Sequence, residues 1–143
     1  RTRCACDLLL QRECPSWLFQ VRQGATTFWE RWDGFSQEKG FGDVSMNSFN
    51  HYAYGAVSEF LVSWLAGIHY RHDGLVFEII PDRRFSPVEA VFDSPFGRIA
   101  SSWSLTPGGG LHWEAEVPPG LPASARLPGG RELPLAPGRH TLS

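Results

Sequence analysis

One carboxylate in this chain is framed by tryptophans: Glu30, with Trp29 before it and Trp32 close behind. Further along, His51 opens an apolar stretch. Carboxylate, imidazole and indole together suit a sugar-binding cleft. An indole face stacks on the apolar face of a pyranose, and a carboxylate serves as acid or base at a glycosidic bond. Two other readings need no ligand. In one, the tryptophans are core and Glu30 pairs with Arg31 or Arg22. In the other, Thr27 caps a short helix and Glu30, at its third position, closes a capping box. Residue types and spacing leave all three open.

Local elements must hold these residues. Asp7 to Glu13 is helix-forming and Pro15 ends it, which places the start of that helix at or before Arg1. Ser16 to Gln23 reads as a connection anchored by Trp17, Leu18, Phe19 and Val21. Thr26 or Thr27 then caps a short helix through Trp29 and Glu30. Asp33-Gly34 and Gly40-Phe41-Gly42-Asp43 are turn signals. Asn47 or Ser48 is the expected cap of a helix from Phe49 to Leu65, with Gly67 just past its end. Its apolar residues spread over roughly 220°, wider than the stripe of a surface helix. Such a helix must be covered on more than one side. Large side chains such as Tyr54, Leu61 or Leu65 are therefore expected to stay open if this chain alone covers it.

After Ile68 the period changes from 3.6 to 2, and Pro and Gly become dense. Strands are expected at Leu75–Ile80, Val88–Phe92, Arg98–Leu105, Leu111–Val117, Ala123–Leu127 and His140–Leu142. Ile99, Ser101, Trp103 and Leu105 should share one face. Short strands at this spacing predict an antiparallel β-sandwich, so the chain as a whole is α+β in two parts, 1–69 and 70–143.

Composition sets bounds. The chain has 143 residues, 42% hydrophobic and 20% charged, with a net charge of -2. That balance argues against a nucleic-acid or anionic-membrane partner, which needs a basic patch. No apolar run approaches the ~20 residues of a membrane span. Cys4, Cys6 and Cys14 have neither a fourth Cys nor a nearby His, so no zinc site, disulfide framework or other cofactor is expected. Free thiols point to the cytoplasm. The chain begins with neither Met nor a secretory leader, and it reads as a piece of something longer.

Two long motifs and a short one before them carry a resemblance. Phe19-Gln20-Val21, Gly24 through Asp33 and Met46 through Val57 resemble the end of the catalytic domain of bacterial α-L-rhamnosidases, glycoside hydrolase family 78. Asp93 through Ile99, Ser102-Trp103, Val117-Pro118-Pro119 and Arg126-Leu127-Pro128 resemble that family's C-terminal β-domain. The resemblance implies the last helices of an (α/α)6 six-hairpin barrel followed by a small β-sandwich. It implies hydrolysis of terminal α-L-rhamnose from glycosides or oligosaccharides with inversion. Glu30 then matches the general base and His51 a sugar-contacting histidine, while Trp29 and Trp32 are candidates to line the pocket. The family's general acid lies upstream of anything matched here. This fragment should therefore be inactive alone, with the missing N-terminal part of the enzyme as its partner. A non-catalytic carbohydrate-binding module is the alternative, but such a module has no need of a helix that is apolar on most of its circumference.

Overall fold

The computed structural model describes residues 2–127 and 130–143. Arg1, where the first helix was expected to begin, and Pro128 of the last motif lie outside the described residues. The chain forms two compact units, Arg1–Val57 and Ser58–Ser143.

The first unit contains α1 (Thr2–Leu9) and α2 (Trp17–Arg22). α1 stops at Leu9, short of the expected Glu13, because the Gln11 side chain turns to the carbonyls of Glu13 and Pro15. α2 forms where only a connection was expected. Its signal is Ser16, whose hydroxyl is buried and accepts from the Phe19 N–H at 3.0 Å. No helix starts at Thr26 or Thr27; that segment is irregular, and its backbone bonds to residues further along. A two-residue hairpin follows, β1 (Phe35–Ser36) with β2 (Gly40–Phe41).

The expected helix from Phe49 begins only at Ala53. Residues 49–51 are committed elsewhere, since the His51 N–H donates to Phe28 O and Phe49 O accepts from Thr27. From Ala53 the chain makes a 3-10 turn to Ala56, one α turn over Val57–Glu59 and a π turn over Phe60–Leu65. Leu61 and Trp64 are 39% and 43% exposed, whereas Leu65 is buried and Tyr54 half-buried. Gly67 ends the helix at φ 72°, a conformation that favours glycine. A Cβ there would stand 2.6 Å from Glu78 O, so no other residue fits without moving that strand.

The second unit is a sandwich of two four-stranded sheets. One has the order β10-β7-β6-β5 and the other β3-β4-β8-β9. The strands are β3 (Ile68–Arg71), β4 (Gly74–Glu78), β5 (Val88–Ser94), β6 (Gly97–Leu105), β7 (Leu111–Val117), β8 (Ala123–Arg126), β9 (Glu132–Leu135) and β10 (Gly138–Leu142). All neighbours run antiparallel except β4 and β8, which pair parallel. Alternation works as expected on β6: Ile99, Ser101 and Trp103 are all buried. Ile99 and Trp103 join Leu75, Phe77, Trp113, Val117 and Ala125 in the hydrophobic core. Each large apolar side chain buried here contributes about 1.5–3 kcal/mol.

The last carbonyls of a helix have no partner inside it. Here β6 supplies two. The Trp103 indole N–H donates to Leu65 O at 2.7 Å, and the Ser101 hydroxyl donates to Ala66 O at 2.7 Å while accepting from Trp113 Nε1 at 3.2 Å. A serine in the middle of an apolar strand face is thereby satisfied on both sides.

Candidate functional site

The segments around Glu30 and His51 are joined by their backbones. The Glu30 N–H donates to Ser48 O at 2.8 Å, and the Ser48 N–H donates back to Glu30 Oε2 at 2.9 Å. The His51 N–H reaches Phe28 O at 2.8 Å, and the Thr27 hydroxyl donates to Phe49 O. Four hydrogen bonds thus lay residues 27–30 along residues 48–51. Glu30 and His51 come to lie on adjoining segments of one unit, although the sequence separates them widely.

Of the first ligand-free reading, the buried Trp29 holds and the arginine pairing does not. Arg31 pairs with Asp33 at 3.4 Å and Arg22 with Glu13 at 3.7 Å, so neither arginine is the partner of Glu30. The capping box needs a helix that does not form. Glu30 is half-buried; one oxygen is held by Ser48, and Oε1 has no partner among the described residues. A carboxylate fixed at one oxygen and open at the other is oriented for work on a water or hydroxyl.

His51 is half-buried and its ring lies parallel to that of Tyr52, centroids 5.3 Å apart. Nδ1 accepts from the Ala53 N–H at 3.3 Å. In the neutral ring the proton then sits on Nε2, which is left as a donor.

The two tryptophans differ. Trp29 is 5% exposed, with Phe35 and Phe49 set against it edge-on at 6.2 and 5.2 Å. It packs the aromatic centre of this unit and, in this structure, offers no open face. Trp32 is half-buried, stacked on Tyr54 at 3.9 Å with Trp17 edge-on at 5.2 Å.

α2 positions this wall. Trp17 Nε1 donates to Tyr54 O at 3.1 Å, and the buried Gln20 amide donates to Arg31 O at 3.0 Å. Gln20 therefore fixes the backbone between Glu30 and Trp32. Sequence reasoning missed it, since a glutamine on a short segment carries no signal of its own. Asn47 has a similar duty: its amide donates to Gly34 O at 2.9 Å, and a Cβ at Gly34 would crowd Asn47 Oδ1, so a larger residue at 34 would displace this side chain.

Among the described residues no group of three or more His, Cys, Asp or Glu side chains could hold a metal ion.

A unit of short helices and turns with an oriented carboxylate precedes a β-sandwich, and comparison with known proteins gives the class of this arrangement. Residues 1–65 match the bacterial α-L-rhamnosidase six-hairpin glycosidase domain, and residues 70–140 match the bacterial α-L-rhamnosidase C-terminal domain. The chain belongs to the bacterial α-L-rhamnosidase family. It is 38% identical over 124 residues to an α-L-rhamnosidase of Formosa agariphila, covering 85% of this chain and 13% of that protein. The crystal structure of native α-L-rhamnosidase from Aspergillus terreus superposes with a TM-score of 0.85 at 35% identity, over 94% of this chain and 16% of that one. That of the Streptomyces avermitilis enzyme, complexed with L-rhamnose, gives 0.82 at 32% identity, over 95% and 16%. The chain thus spans about an eighth of the curated relative's length.

Proposed function

We propose that this chain is the C-terminal part of an inverting α-L-rhamnosidase: residues 1–69 complete its helical barrel and residues 70–143 form its C-terminal β-domain. The whole enzyme releases terminal α-L-rhamnose from glycosides. The observation that carries this reading is the carboxylate of Glu30, held by the Ser48 N–H at one oxygen and unpartnered at the other, in a chain of this family. In an inverting hydrolysis two carboxyl groups flank the bond, roughly 6.5–9.5 Å apart, with a water between the base and the sugar. Glu30 is the base. It takes a proton from that water as the water's oxygen attacks the anomeric carbon. A carboxylic acid on the opposite side, supplied by the rest of the enzyme, protonates the leaving oxygen. His51 donates from Nε2 to a sugar hydroxyl. Trp32 walls the pocket, and Trp29 supports Glu30 from the packed side. With the acid outside it, this fragment does not turn over.

The experiment has two arms. The 143-residue chain and its Glu30→Gln variant should be equally inactive on an aryl α-L-rhamnoside. In a full-length enzyme carrying this segment, Glu30→Gln should lower kcat about 10²–10⁴-fold with a smaller change in KM, because water activation alone is lost. Azide should restore part of that rate. Near-normal turnover of the full-length variant would remove Glu30 from the mechanism.

A further inference from the structure

One end of the β-sandwich carries a pocket that the reaction leaves unused. Three turns bound it: the β3–β4 turn, the β5–β6 turn and residues 120–122. Loops gathered at one end of a sandwich are a common place for recognition, because the rigid sheets beneath fix their positions. Its volume is about 330 Å³, within the range of small-ligand sites.

Two aromatic side chains line it and stay open: Tyr70 is 40% exposed and Phe96 46%. Neither hangs loose. The Tyr70 ring leans on Phe92, centroids 5.6 Å apart. Phe96 sits in a turn that Ser94 locks, its hydroxyl accepting from the Phe96 N–H at 3.2 Å and donating to Gly97 O at 2.8 Å. The floor is Leu121, buried, and the turn opposite closes tightly: a Cβ at Gly74 would stand 2.7 Å from Pro122 O. The rim is polar. His72 and Asp73 line the pocket, and neither side chain has a hydrogen-bond or ion-pair partner among the described residues. Open aromatic rings on a rigid frame, beside an uncommitted carboxylate and imidazole, match a ligand with one apolar face and a set of hydroxyls. That is the chemistry of a pyranose, and of a 6-deoxy sugar in particular, whose methyl group extends the apolar face.

We propose that this pocket is a saccharide subsite, additional to the Glu30 site and built wholly from the β-sandwich, that binds a rhamnosyl unit of the glycoside. The choice of rhamnosyl among pyranoses rests on the function proposed above; the pocket's fitness for a sugar does not.

The test is saturation-transfer NMR of methyl α-L-rhamnopyranoside with the 143-residue chain, which needs only dilute protein. Transfer should be strongest at the C6 methyl and the protons of the apolar ring face. Tyr70→Ala and Phe96→Ala should each weaken binding at least about fivefold, the scale of one lost aromatic contact, with the unfolding midpoint kept. Asp73→Asn, on an exposed turn, should weaken it several-fold without touching the aromatic wall. The three pocket variants are measured again in a Glu30→Gln/His51→Ala background, where they should weaken the remaining signal by the same factor, so the pocket stands or falls apart from the catalytic reading. No transfer at tens of millimolar sugar, transfer equal to that of glycerol, or full binding in all three pocket variants would overturn the proposal. Binding of D-galactose as tight as that of the rhamnoside would overturn the rhamnosyl choice and leave the catalytic reading intact.

Discussion

The two units solve the burial problem differently. Among the described residues of the first, the buried apolar side chains are Cys6 and Trp29, while seven large ones stand exposed, among them Val44, Met46, Phe41 and Tyr52. Among its described residues the second buries twelve apolar residues, with seven large ones exposed over a longer stretch of chain. Aromatic rings in the first unit touch edge to edge around Trp29 without being sealed; Phe41, which contacts both Phe35 and Phe49, is 71% exposed. In the second, paired sheets seal Trp103 and Trp113, and every buried indole N–H has an acceptor. A unit that matches part of a six-hairpin glycosidase domain and does not close its own core is what a slice of a larger barrel should look like. The sandwich is a domain in its own right.

The largest expected effect tests that contrast at its centre. Trp103→Ala should destabilise the second unit by about 3–5 kcal/mol, from the cavity and the stranded Leu65 carbonyl together. Trp29→Ala should cost clearly less, because the half-open cluster around it can collapse into the space. Chemical denaturation of both variants checks this. A larger loss for Trp29→Ala would mean that the first unit is the better packed.

Next in size are the bonds that tie the helix end to the sheet. Ser101→Ala leaves Ala66 O and the Trp113 indole without their shared partner, and Trp103→Phe removes the bond to Leu65 O and opens a smaller cavity than alanine does. Each should cost about 1–3 kcal/mol, the range for a buried group left unpaired. Unchanged unfolding midpoints would show that water replaces these bonds and that the helix end is not held.

A third test reads the surface. Exposed apolar side chains concentrated in the first unit should make the isolated chain bind ANS or self-associate, since monomers rarely leave patches above a few hundred Å² uncovered. Amide exchange should be fast over residues 24–52 and slow over β6 and β7. A dye-silent monomer with uniform protection would break the comparison between the units.

These contrasts also explain what the sequence could say. The sandwich strands were legible because each has an inside and an outside, and period 2 records that in the residues themselves. Two strands escaped. β3 is four residues long and begins right after Gly67. β9 contains Pro134, which usually argues against a strand but is tolerated because β9 is an edge. In the first unit the pattern misled. Ser48 looked like a helix cap and is instead the backbone partner of Glu30; Thr27 looked like a cap and bonds to Phe49 O. Both side chains do what their chemistry suggests, but with partners that only the tertiary fold brings near. The candidate site residues were singled out through residue types and family motifs. Their mutual placement was not readable, and neither was the supporting role of Gln20.

The smallest expected effect is electrostatic, and it belongs to the second unit. His69 on β3 has Nε2 buried with no hydrogen-bond partner among the described residues, and Trp64 set edge-on to its ring at 5.3 Å. Burial holds its pKa below the ordinary 6.5; Arg71 and Arg126 push the same way and Glu78 opposes them. The folded state thus favours the neutral ring. When the pH falls through 6.5, the unfolded chain binds a proton there that the folded chain still refuses. Stability is therefore fully present above that pH and declines below it, until the folded pKa is reached. Glu132, lowered chiefly by its hydrogen bond from Ser124, keeps its contribution above the ordinary carboxylate pKa of 4.5 and loses it as the pH falls from there through the folded value. His69→Gln should flatten the unfolding midpoint between pH 7 and pH 5.5 relative to the parent chain, as an amide needs no proton and fills much the same space. If both chains lose stability in parallel over that range, His69 stays as easily protonated in the fold as out of it, and the seal over this end of the sandwich is looser than the buried nitrogen implies.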